Sequence, residues 1–222
     1  EMAESFQRQS GIRRLIEFLT VYHLPARLAV RLYRVYGEMA QEALRDDPYL
    51  LTDAYFAADF SQVDAFAIEL GVSADDERRV EAGILFELSY NLGAGHTFIP
   101  ADKLRAATCA LLGLDDETIG AGILRLQEQE RMTLSDLCGL QACYLPELYA
   151  AETYVCGRIL SMAEGEYPAP KRLEDTLASI EARQKLDYAP EQREAIRCAA
   201  TQQLLIVTGG PGTGKTTVMS GI

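Results

Sequence analysis

The sequence predicts a mainly α-helical protein that runs into the first elements of an α/β layer. Three observations carry that prediction. Apolar residues recur at helical spacing through the first 93 positions, a helix–helix–hairpin pattern occupies 94–164, and an apolar run precedes a glycine-rich loop that starts at Gly209.

The elements follow in order. Phe6, Ile12, Leu15, Ile16 and Leu19 share one helical face, and His23-Leu24-Pro25 breaks the pattern. A second helix carries Leu28, Leu32, Val35 and Tyr36 on one face and stops at Gly37, a residue suited to a helix C-terminus. Asp47-Pro48 starts a short helical turn, and two amphipathic helices follow near 61–71 and 74–92. Residues 94–100 read as a linker or short strand, with helices near 101–112 and 116–129. Met132–Leu134 and Ala142–Leu145 are strand candidates around a Gly139 turn, which completes a winged-helix-like outline. A long helix is expected over 147–163, a linker from Glu164 to Pro170, and helices over about 171–184 and from Pro190 to near Thr201. Leu204-Leu205-Ile206-Val207 then reads as a buried parallel strand.

A chain of 222 residues holds one to two domains, and its 48% hydrophobic content is ordinary for a folded protein. No apolar run is long enough to span a bilayer, so no membrane partner is expected. Glu1-Met2-Ala3-Glu4 has neither the basic region nor the apolar core of a signal peptide, and Glu1 leads to the expectation of preceding residues. Cys109, Cys138, Cys143, Cys156 and Cys198 form no CxxC pair, which fits a reduced cytoplasmic protein with scattered core thiols. His23 and His96 lie far from cysteines at ligand spacing, which argues against zinc.

The net charge of −12 is unevenly spread. Residues 8–34 hold Arg8, Arg13, Arg14, Arg27, Arg31 and Arg34 against the single acid Glu17, whereas residues 46–93 hold eleven acids against Arg78 and Arg79. The basic stretch reads either as a phosphate-contacting patch or as solvated helix faces. The acidic 46–93 surface disfavours nucleic acid and suits a protein partner. Tyr22, Tyr33, Tyr36, Tyr49 and Tyr55 mostly fall at helical core spacing, so packing is preferred over base stacking.

The chemistry-bearing motif is Gly209-Gly210-Pro211-Gly212-Thr213-Gly214-Lys215-Thr216-Thr217, a complete match to G-x-x-x-x-G-K-[ST]. It follows an apolar run and precedes a predicted helix over 215–222. Glycines let the backbone curve around phosphates with its N–H groups turned inward, and a following helix offers more of them. Lys215 is placed to reach the β- and γ-phosphates of ATP, the Thr216 hydroxyl to ligate Mg²⁺, and Thr217 to add a phosphate contact. Phosphoryl transfer also needs a second acidic motif and usually an arginine finger from later strands. Only five residues follow Thr217, so this stretch alone is expected to be inactive as an ATPase.

The string from Tyr188 to Thr217 resembles the opening of a superfamily-one DNA helicase motor, and its glycine loop looks most like that of the RecD family. Asp47–Leu51, Phe60–Asp64, Arg79–Ile84, Gly95–Pro100 and Ala151-Glu152 are similar to the N-terminal region of RecD-like helicases that work without RecB and RecC. The resemblance implies helix-hairpin-helix units over 1–93, a winged-helix-like module over 94–164, a linker and helix over 165–185, and the start of a RecA-like motor from 186. It further implies 5′ to 3′ movement on single-stranded or forked DNA, driven by ATP and Mg²⁺, in DNA repair or recombination. Gln192 occupies the position of the adenine-recognising glutamine. Helix-hairpin-helix units hold the DNA backbone through glycine-rich turns. Here the first hairpin, His23–Arg27, has no glycine, but Arg27, Arg31 and Arg34 can share a helix face as DNA contacts. The second, Ala57–Phe60, has Ala57 and Asp59 at the glycine positions, which suits a scaffold better than a DNA contact. Two other readings stay open: a different P-loop ATPase, and a non-catalytic interaction domain with a vestigial loop.

Overall fold

The computed structural model describes residues 2–165 and 167–222; the side chains of residues 2–6 and Leu92 are not described, so the core position expected for Phe6 lies outside the described residues. The chain divides into two compact units, Glu1–Tyr149 and Ala150–Ile222.

The first unit opens with α1 (Met2–Val21), α2 (Leu28–Tyr36), α3 (Ala40–Asp46), a 3-10 turn (Pro48–Thr52), α4 (Phe60–Glu69) and α5 (Glu77–Tyr90). It continues through β1 (Phe98–Pro100), α6 (Ala101–Leu112), α7 (Asp116–Glu128), β2 (Thr133–Leu137) and β3 (Leu140–Tyr144). Apolar side chains from all these helices, among them Leu19, Leu32, Phe66, Ile84, Leu104 and Leu126, merge into one buried core. Val35 is 51% exposed, and the buried residues of α2 are Leu28, Ala29 and Leu32. Tyr49 is buried and Tyr22, Tyr33 and Tyr36 are half-buried, as packing requires, whereas Tyr55 is exposed.

Helix starts are fixed by short acids. Asp59, Asp76 and Asp115 cap α4, α5 and α7 by accepting backbone N–H bonds from Gln62, Arg78 and Thr118. The strands form one antiparallel sheet in the order β1-β3-β2, with Thr133 opposite Tyr144 and Leu137 opposite Leu140. Cys138 and Gly139 make the tight turn with φ of 55° and 88°, and Asp136 Oδ1 accepts the Gly139 N–H at 2.9 Å. The helix–helix–hairpin outline of the winged-helix-like module is therefore present.

Close approach locks α5 against α6 and α7. A Cβ on Gly83 would come within 2.8 Å of Leu112, and one on Gly122 within 2.6 Å of Val80. Two buried charge networks span the same helices. Arg79 donates to both carboxylate oxygens of Asp64 (2.8 and 3.0 Å) and to the carbonyls of Ala74 and Leu112. The Tyr49 hydroxyl also donates to Asp64, at 2.7 Å, and burial beside that carboxylate raises the phenol well above its ordinary pKa. Glu81 accepts from Arg125, Gln129 and Arg131, which ties α5 to the end of α7.

Helix α8 (Pro146–Ala163) spans the boundary between units. The second unit then holds α9 (Leu173–Gln184), α10 (Pro190–Thr201) and α11 (Lys215–Met219) around Leu177, Tyr188, Ile196 and Val218. Residues 204–207, expected as a strand, have no regular structure, and Ile206 is 76% exposed. A strand is held by the ladder to its neighbours, and every described strand belongs to the first unit. The final helix stops at Met219 instead of reaching 222, and Gly221, a poor helix former, packs against Ile196 and Tyr188.

The cysteines are all free. Cys143 is buried and its thiol is pushed up to about 11, Cys109 and Cys198 are half-buried, and Cys138 and Cys156 are exposed, so these last two are surface thiols and not core residues. No helix among the described residues is long and apolar enough to cross a membrane.

Candidate nucleotide-binding loop and helical hairpins

Pro190 opens α10, and Ala189 before it has no side chain to cap the helix. Gln192 supplies part of that service by folding back, so that its Oε1 accepts the Ala189 N–H at 3.0 Å. Its Nε2 donates to the carbonyl of Thr213 at 3.2 Å, inside the glycine loop. Gln192 therefore joins α10 to the loop, a link that its family-implied adenine-reading role did not foretell. The fit depends on Gly214, where any Cβ would collide with the Gln192 amide.

The loop itself is shaped by glycine. Gly212 and Gly214 have φ of 78° and 80°, a region that side chains with a Cβ rarely adopt. Thr213 Oγ1 donates to the Gly210 carbonyl at 2.9 Å. Lys215 Nζ donates to the carbonyls of Gly209 and Gly210 at 2.6 and 2.7 Å, so the ammonium lies over the loop. Gly209, Gly210, Pro211 and Thr216 are exposed and Thr217 is half-buried. Behind the loop, Val218 anchors α11 in the small core. One ammonium, two adjacent hydroxyls and a glycine-shaped backbone form a donor set that fits a polyphosphate with its metal.

A network beneath α10 escaped the sequence reading. Glu181 is buried, accepts the Tyr188 backbone N–H at 2.9 Å and pairs with Arg193 through two hydrogen bonds. The Tyr188 N–H, and then Arg193, hold its carboxyl below the usual glutamate range. The signal for it was a lone Glu twelve residues ahead of an Arg, which no local spacing rule picks out.

The two helical hairpins differ in what they offer. In the first, His23 takes φ of 58° at the end of α1, where Leu24 N–H bonds the Leu19 carbonyl. Arg27 and Arg34 are exposed and have no ion pair among the described residues. Arg31, expected to stand with them, donates instead to the carbonyls of Tyr55 and Phe56 at 3.0 and 3.2 Å. It fastens the first hairpin to the second. Arg13 and Arg14 are paired with Glu17 and Glu38. In the second hairpin Ala57 has φ of 50°, and Asp59 is committed to capping α4.

Residues 8–98 match the family model of the ATP-dependent RecD2 DNA helicase HHH domain, and residues 192–222 match an AAA domain model. The chain is also 25% identical over 232 aligned residues to the ATP-dependent RecD2 DNA helicase of Deinococcus radiodurans, with all of this chain covered. It resembles the N-terminal region of RecD-like superfamily-one helicases. The chain spans about a third of that relative's length (32%). The RecD2 HHH match begins within α1, takes in α2 to α5 and reaches the start of β1. The second match begins at Gln192, the residue that bonds the loop, and includes the loop. Among the described residues no group of three or more His, Cys, Asp or Glu side chains is arranged to hold a metal on its own.

Proposed function

We propose that this chain is the N-terminal part of an ATP-dependent DNA helicase that moves 5′ to 3′ on single-stranded or forked DNA in the cytoplasm, in repair or recombination. The observation that carries the reading is the glycine loop tied through Thr213 to Gln192 and followed directly by Lys215 and Thr216. A second acidic motif and an arginine finger would come from other parts of the whole protein.

Bound Mg-ATP supplies the phosphoryl group whose transfer releases free energy for movement. The chain's own residues prepare for it. Lys215, which now donates to the Gly209 and Gly210 carbonyls, would hold the phosphate oxygens and offset their charge. The Thr216 hydroxyl would hold the metal, and Thr217 would add a phosphate contact. Gly209, Gly210, Pro211, Gly212, Thr213 and Gly214 shape the cradle, and Gln192 fixes its position relative to α10. Arg27 and Arg34 contact the DNA backbone, while Arg31 sets the hairpin that presents them.

The test is ATP hydrolysis by the full-length gene product with and without single-stranded DNA, beside Lys215→Ala. Stimulation by DNA is expected, with a loss in the variant of about a hundredfold or more. Hydrolysis that ignores DNA would point to another kind of P-loop ATPase, and a fully active Lys215→Ala would remove the role assigned to the loop.

A further inference from the structure

We propose that the groove beside the second helical hairpin is a docking site for a short protein segment that presents an apolar side chain flanked by lysine or arginine. The groove lies wholly within the first unit and has a volume of about 640 Å³. Its floor is apolar: Phe60 and Ala82 are buried, and the Phe86 ring stacks on Phe60 with centroids 5.1 Å apart. The turn residues Ala57 and Ala58 form one wall, so the hairpin edge that offers glycine N–H groups to phosphate in a DNA-binding unit here offers two methyl groups.

Charge selects the occupant. The mouth carries Asp53, Glu130 and Glu147, all exposed and without an ion pair among the described residues. Arg131 is the one cation in the lining, and it is paired with Glu81 at 3.2 Å. A DNA phosphate entering here would face three carboxylates. A basic segment gains three partners, while its apolar side chain covers the Phe60–Phe86 stack.

The probe is a blocked, fluorescein-labelled decapeptide with Lys-Leu-Phe-Lys at its centre, titrated into the intact chain by anisotropy at low salt, with amide shifts recorded by NMR. Binding is expected to perturb the amides of Ala57, Ala58 and Ser89. It should weaken about tenfold in the triple variant Asp53→Asn, Glu130→Gln, Glu147→Gln, as expected from losing several exposed ion pairs. Ser89→Trp, at an exposed position on the groove lining, should block the site while leaving the core intact. A peptide with Glu in place of Lys should not bind. Absence of binding, equal binding to the triple variant, or shifts confined to other surfaces would overturn the proposal. So would an equal perturbation of these amides by a single-stranded oligonucleotide, which would return the hairpin to DNA.

Discussion

The two compact units solve the same problem, a charged group taken out of water, with different amounts of help. In the first, Arg79 is enclosed by Asp64, Tyr49 and two backbone carbonyls inside a continuous apolar core. In the second, Glu181 is buried, but its partner Arg193 keeps 35% of its side chain exposed, and the core of the unit has four buried apolar side chains among the described residues. The unit with the broad core carries the scaffold and the groove. The unit with the small core carries the glycine loop, whose arrangement depends on polar ties such as Gln192 to Thr213. Fewer buried apolar groups mean lower local stability, which is where binding loops are commonly drawn from.

The sharpest way to break this contrast is Arg79→Ala. Removing the arginine leaves the Asp64 carboxylate without a counter-charge and with only the Tyr49 hydroxyl, at a cost of about 3–5 kcal/mol. Urea unfolding followed by amide signals of the first unit should report that loss. The triple variant Arg79→Met, Asp64→Leu, Tyr49→Phe should recover much of it, since apolar groups replace the ion pair and the hydroxyl that bonds it without leaving an unmet charge or donor. A loss below about 1 kcal/mol would mean that the network is better hydrated than its burial indicates.

Acid should act on the second unit through Glu181, with a smaller effect. Its folded pKa is lowered, so its contribution is fully present above the unfolded value and disappears as pH falls through the folded one. The Tyr188 amide, bonded to this carboxylate, should therefore shift with an inflection below the ordinary glutamate range. Glu181→Gln should abolish the inflection and flatten the acid limb of the unit's stability. An inflection at the ordinary value would show that Arg193 is too solvated to hold the pair.

What the sequence made legible follows from what is local. Helical spacing located α1, α2 and α4 to α7 but not the short α3, and the glycine pattern located the loop, because each rests on neighbours a few residues apart. What local pattern does not reach shares one cause. The 204–207 run has a buried strand's composition, but a strand also needs a ladder partner, and composition carries no news of one. Arg31 has the spacing of a DNA contact, yet its guanidinium is satisfied by carbonyls twenty-four and twenty-five residues away. The bond from Gln192 to Thr213 crosses twenty-one residues, beyond any local spacing rule. The acidic stretch is visible as composition, whereas the groove it shares with residues 130–131 and 145–147 becomes visible only when the fold brings these segments together.

The smallest effects test the comparison at the backbone. Glu130 and Lys185 occupy equivalent places, one in each unit: each follows a helix with positive φ, 57° and 53°, while the next N–H bonds back to Leu126 or Glu181. Glycine adopts this conformation without a Cβ penalty, so either residue replaced by glycine should stabilise its unit by up to about 1 kcal/mol. The two gains should be unequal. Glu130→Gly also removes an anion from a helix C-terminus, where the helix dipole disfavours it, whereas Lys185→Gly removes a favourable cation. Thermal unfolding read by amides in each unit should therefore place Glu130→Gly ahead. Equal gains would mean that the exposed charges are fully screened and that backbone strain alone sets the effect. A larger gain for Lys185→Gly would mean that the small unit carries more strain at its helix end than its φ indicates.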